Sequence, residues 1–138
     1  MVRDPTILSS VFALAQIDDL HTRLGSADSV ADYMRGLAAI GVVRFESFLC
    51  DGHTEFFGAD GQHLASPAHH EGLTVAEVSD RASVVEHLRR HSGGETSYVE
   101  MSEALANSGV EKWVGDTAAL TFTYRNRAGD CLLIEHVE

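Results

Sequence analysis

Basic side chains are scarce in this sequence: ten Lys and Arg stand against 21 Asp and Glu, a formal charge of −11 over 138 residues. Neutralising a phosphate backbone takes clustered cations that displace its counterions, and only Arg89 and Arg90 are adjacent here. That excludes nucleic acid as an expected partner, and an anionic membrane surface would repel the chain for the same reason. No apolar run is long enough to cross a bilayer. The stretch from Val11 to Ile17, broken by Gln16, lacks both the basic flank and the length of a signal peptide, so a cytoplasmic location is expected. Cysteines number two. Without a secretion signal, Cys50 and Cys131 are expected as reduced, buried thiols, although the sequence is also compatible with a disulfide between them. A nucleophile elbow, a phosphate loop, a dinucleotide-binding glycine pattern and a paired-cysteine metal motif are all missing. There is no low-complexity segment or interdomain linker, and a chain of this length makes one domain.

What the chain does contain is itself, twice. Leu20, Gly25, Ser29, Leu37, Ala38, Gly41, Val42, Gly61 and Leu64 recur, without a gap and at an offset of 68 residues, as Leu88, Gly93, Ser97, Leu105, Ala106, Gly109, Val110, Gly129 and Leu132. Conservative pairs lie between them, among them Arg44/Lys112, Phe45/Trp113 and Phe56/Tyr124. Self-similarity at a fixed period means repeated structure. Repeat 1 covers about 11–66 and repeat 2 about 79–137, inside a single domain spanning 1–138. Neither copy is large enough to be very stable alone, so the two are expected to share one core.

Each copy reads as two helices followed by a β-meander. Phe12, Leu14, Ile17, Leu20 and Leu24 form one face of a helix over 11–24 that stops at Gly25, and 81–92 is its copy. Ser29 with Asp32, and Ser97 with Glu100, have the spacing of capping boxes for the second helices, which end at Gly41 and Gly109. Strands follow at about 42–50, 53–57 and 62–66. Asp51-Gly52 is a two-residue hairpin signal, and Gly58-Ala59-Asp60-Gly61 suits a type I turn closed by a bulge. The implied register sets Phe56 against Leu64, Tyr124 against Leu132, Thr54 against Ser66 and Phe122 against Ile134. Residues 67–80 join the copies as a loop with a short extended segment from Leu73 to Val78. The first ten residues read as an extension. The fold class is therefore α+β: antiparallel sheet covered by helices on one side, the copies related by a pseudo-twofold.

Residues alike in both copies are explained by shared scaffold; polar residues in one copy only are the better functional candidates. The largest divergence is the hairpin around Cys50-Asp51-Gly52-His53-Thr54-Glu55-Phe56-Phe57-Gly58. His53 and Glu55, two apart on a strand, share a face, and His63 reaches that face from the next strand, diagonal to Glu55. His53 and Glu55 are the catalytic candidates, as a proton-transfer pair whose carboxylate fixes the imidazole tautomer. Asp51, His63 and Phe57 are candidate ligand contacts. No metal is favoured and no cofactor is expected; if an ion binds, His53, Glu55 and His63 are the set for it, with zinc the candidate. A solvated hairpin face explains the same residues without any function. His87 and His91 have zinc-compatible helical spacing, but Arg89 and Arg90 beside them oppose a cation. His69, His70, His21 and His136 read as surface residues, and Trp113 as core packing.

The runs Gly41-Val42-Val43-Arg44-Phe45-Glu46-Ser47-Phe48 and Asp51–Gly61, with Ser108-Gly109-Val110-Glu111-Lys112-Trp113-Val114, resemble the YbcV-like family of small bacterial proteins, sometimes labelled phage envelope proteins. The resemblance runs from about Phe12 to the end and implies a compact α+β protein with no established activity, substrate or cofactor. The leading expectation is a non-enzymatic accessory protein that binds a small molecule or a protein, with a homodimer as one form. The alternative is a small enzyme or metal-dependent protein built on His53 and Glu55, and a structural phage component is a third reading.

Overall fold

The computed structural model describes residues 12–24, 29–68 and 70–137. Gly25, His69 and the first ten residues lie outside them. The element order is α1 (Leu14–Leu24), α2 (Val30–Ala39), β1 (Val42–Phe48), β2 (Thr54–Gly58), β3 (His63–Ala65), then α3 (Arg81–Ser92), α4 (Tyr98–Asn107), β4 (Val110–Asp116), β5 (Thr121–Asn126) and β6 (Cys131–His136). The helix–helix–meander unit thus occurs twice. The six strands form one antiparallel sheet in the order β3-β2-β1-β4-β5-β6.

The copies join through their first strands. In the β1–β4 ladder Glu46 pairs with Val114, its own equivalent in the other copy, so the pseudo-twofold passes through that pair. On either side of it Phe45 lies opposite Gly115 and Trp113 opposite Ser47. Each copy thereby sets a large ring against a small residue of the other, which is how facing layers interdigitate at interior density. The fit is tight: a Cβ on Gly115 would come within 2.3 Å of the Phe45 ring. Phe45 also meets Phe56 and Phe122, with ring centroids 6.1 and 5.8 Å apart.

The helices cover this face alone. Ile17, Tyr33, Met34 and Leu37 from the first copy, and Val84, Leu88, Met101 and Leu105 from the second, bury their apolar sides against Phe45, Phe56, Phe122 and Tyr124. Phe12, ahead of α1, is buried and held through its backbone: its N–H donates to Gln62 Oε1 at 3.1 Å, and Gln62 Nε2 donates to its carbonyl at 2.6 Å.

Several local expectations are corrected. The first helix begins at Leu14 rather than residue 11. The Ser97/Glu100 capping box forms, but in the first copy the Ser29 hydroxyl donates to the Leu24 carbonyl and Asp32 pairs with Arg35. The β1–β2 hairpin closes through four residues, 49–52, between the bonded pair Phe48 and His53, instead of a two-residue turn. Gly52 supplies the left-handed residue at φ +77°, and Leu120 takes its place in the second copy at φ +56°. The turns at Gly61 and Gly129 have the expected positive φ.

The register of Phe56 with Leu64 is as expected, but Tyr124 pairs with Leu133 and Phe122 with Glu135. Leu132 is an extra residue, a bulge confined to the second copy, and it moves the remainder of β6 by one position. Ile134 turns outward to 53% exposure, while Glu135 turns in and accepts a bond from the Tyr124 hydroxyl at 3.2 Å. Both cysteines are exposed and free, correcting the expectation of buried thiols. Leu73–Val78 forms no strand and bends at Glu77 and Val78; the Leu73 N–H donates to the Cys50 carbonyl at 2.6 Å and the Ala76 N–H to the Ala106 carbonyl at 2.9 Å.

Candidate functional site

Because the helices take one face of the sheet, the other is open, and its residues follow from the register as rows across six strands. One row is His63, Phe57, Arg44, Asp116, Thr121 and His136; the next is Ala65, Glu55, Glu46, Val114, Thr123 and Ile134. Alternation along a half-buried strand is what puts them there. The first copy's share of this face holds His53, Glu55 and His63 together, as their spacing requires.

Glu55 bridges the two imidazoles: its Oε2 lies 3.1 Å from His53 Nε2 and its Oε1 2.9 Å from His63 Nε2. On its other side His53 meets Asp51, with Nδ1 2.6 Å from Oδ1, and the same oxygen accepts the His53 backbone N–H at 2.9 Å. Both nitrogens of His53 therefore face carboxylate oxygens, which only accept, so the doubly protonated ring satisfies both. The Asp51 contact raises the His53 pKa above the ordinary histidine value; burial opposes this and Glu55 adds to it. The His53 backbone and ring bonds lower Asp51, and the His53 and His63 contacts lower Glu55.

Two ring stacks steady the histidines. His53 lies on Phe48 with centroids 4.6 Å apart and planes within 3°, and His63 on Phe57 at 4.7 Å and 6°. The Arg44 guanidinium covers the other ring system, 4.1 Å from the Phe57 centroid. Arg44 and Lys112 both reach Glu46, at 3.2 and 2.6 Å. Phe48, Arg44, Glu46 and Lys112 were missed as site residues. Period-two alternation along β1 would have put Arg44, Glu46 and Phe48 on the Glu55 face, but Arg44 and Lys112 match between copies and so read as scaffold.

The geometry allows proton exchange along Asp51–His53–Glu55–His63 and offers polar contacts to a docked partner. Concavities of about 300 Å³ between α3 and β6 and about 460 Å³ beside Phe48 and Cys50 lie on the described surface; His53, Glu55 and His63 line neither. For a metal, the donor atoms that converge among the described residues are those of Cys50, Asp51 and His53, all within 4.8 Å of one another and partly exposed, rather than the His53, Glu55 and His63 set.

The remaining histidines are scattered. His21 packs edge-on against Tyr33, and His91 Nδ1 lies 3.1 Å from the Thr96 carbonyl. Arg89 and Arg90 are both engaged by Glu86. Trp113 is half-buried between Tyr98 and Tyr124, with centroids 6.2 and 6.3 Å away. No helix is long and apolar enough to cross a membrane among the described residues. A family model described as "Protein of unknown function (DUF1398)" matches residues 18–136, and the chain belongs to that family. No curated protein matches it.

Proposed function

For a member of this family, we propose a non-enzymatic accessory protein that binds another protein through the open face of its sheet, the occupant being a second copy of the chain. The observation that carries this is a six-stranded sheet with helices on one face only, whose other face is furnished with aromatic rings and arginine, and whose His53, Glu55 and His63 line neither of the concavities described above. Rings and Arg are what protein interfaces concentrate, whereas small ligands are held in clefts. A second copy is favoured by charge. On a chain of net −11, the ladder-paired charged residues of this face cancel: Arg44, Lys112 and Arg125 against Glu46, Glu55 and Asp116. Two acidic molecules meet there with the least mutual repulsion.

Sedimentation at high micromolar concentration tests it. The wild-type chain is expected as a dimer, and Val114→Arg, at the middle of the face, as a monomer with an unchanged melting transition. A wild-type chain that stays monomeric sinks the second-copy reading. The acid/base alternative rests on the Asp51–His53–Glu55 contacts, made by residues that line neither of the concavities described above. The Gly41–Phe48 and Asp51–Gly61 runs support the finer YbcV-like placement, and two free thiols support a reducing, cytoplasmic setting.

A further inference from the structure

Independently of the docking face, we propose that the β1–β2 loop is a zinc site made by Cys50 Sγ, Asp51 Oδ1 and His53 Nδ1. A sulfur, a carboxylate and an imidazole are the three donor types that zinc takes, and the run Cys50–His53 presents all of them within 4.8 Å. They already converge on one point. Asp51 Oδ1 is 2.6 Å from His53 Nδ1 and 3.7 Å from Cys50 Sγ. Zn–ligand arms of about 2.0–2.3 Å in a tetrahedron give edges of about 3.3–3.7 Å. The sulfur–oxygen edge is therefore in place, and the oxygen–nitrogen edge must open by under about 1 Å.

The surroundings match what such a site requires. A zinc-bound histidine donates its other nitrogen to a carboxylate, which fixes the tautomer and aims the ligating atom. Here Nε2 lies 3.1 Å from Glu55 Oε2, leaving Nδ1 facing Asp51. The ring's plane is set by its stack on Phe48. Gly52, at φ +77°, is the residue that turns the loop so that Asp51 and His53 meet. Cys50 and Phe48 also line the groove of about 460 Å³, together with Glu111 and Arg127. On binding, the ion takes the place of the Cys50 thiol proton and the His53 Nδ1 proton, both released to solvent.

The second copy has Ala118, Ala119 and Thr121 at the equivalent positions. One ion per chain follows.

Calorimetric titration of the full chain with Zn²⁺ tests this, with Co²⁺ as a spectroscopic probe. Wild type is expected to bind one Zn²⁺, and its Co²⁺ form to show the near-ultraviolet charge-transfer band of a thiolate ligand. Cys50→Ser is expected to weaken Zn²⁺ at least about 10-fold and abolish the band, while His63→Gln stays within about 3-fold of wild type. Circular dichroism and melting establish that both variants fold. Absence of Zn²⁺ binding by wild type overturns the proposal. So does a Co²⁺ complex without the thiolate band, which is read on wild type whatever the variants do. Equal loss in Cys50→Ser and His63→Gln would overturn the ligand set in favour of His53, Glu55 and His63.

Discussion

At the scale of single residues, the β1–β2 loop depends on one backbone conformation. Gly52 holds φ +77°, a region that an L side chain enters at a cost of about 1–2 kcal/mol. Gly52→Ala is expected to lower stability by about 1 kcal/mol in a denaturant melt. Leu120, at the same place in the second copy, carries that strain at φ +56° and compensates with half-buried packing against the core. His53, Glu55 and His63 were legible because period-two geometry alone brings them to one face. The Phe48 and Phe57 stacks beneath the rings were not, since a sequence gives faces but not ring planes. The exposure of Cys50 was equally hidden: it follows from the loop being four residues wide, which lifts the thiol off the sheet.

Elements show where duplication helps and where it misleads. The offset of 68 residues places helices and strands in both copies, though the capping box forms only at Ser97, and the structure keeps even a shared bulge: Val43 in β1 and Glu111 in β4 are equivalent extra residues. It misleads at β6. Transferring the first copy's register missed the Leu132 bulge, because the extra residue has no counterpart in β3. The seam between copies is the least tolerant element. Gly115→Ala would drive a methyl into the Phe45 ring, with approaches of 2.3 to 2.8 Å. Overpacking of that kind is expected to cost about 1–3 kcal/mol, seen as a lower denaturation midpoint. Phe45→Leu in the same chain is expected to restore part of the loss, because it removes the ring that the methyl meets.

The molecule as a whole has three tyrosines, and burial raises the pKa of each. Asp18 adds to the effect at Tyr33 and Glu135 at Tyr124. In the unfolded chain they ionise near about 10. Their contribution to stability is therefore intact below that pH and is lost above it, where only the unfolded state gives up its phenolic protons. A spectrophotometric titration is expected to show Tyr98, 38% exposed, ionising first. Tyr33 and Tyr124 are expected to ionise only together with loss of circular dichroism. Phenolate absorbance that rises smoothly through three residues without unfolding would contradict this.

The β1–β4 seam also has a consequence for synthesis. The first copy can form its helices and its β1–β2–β3 meander from local sequence as soon as it has left the ribosome, but the strand that completes it lies 68 residues further on, in the copy still to be made. Until β4 emerges, β1 presents a seven-residue edge, and Phe45 lacks the Gly115 and Phe122 neighbours that the second copy supplies. At translation rates of about 5–20 residues per second that interval lasts for seconds, and an open edge pairs with whatever strand arrives first. On a polysome, the first to arrive can be the β1 of a neighbouring nascent chain, which carries Glu46 where β4 carries Val114. Two such edges laid antiparallel across the same dyad would set Glu46 against Glu46, a like-charge pair that resists the wrong partner until Val114 comes to replace it.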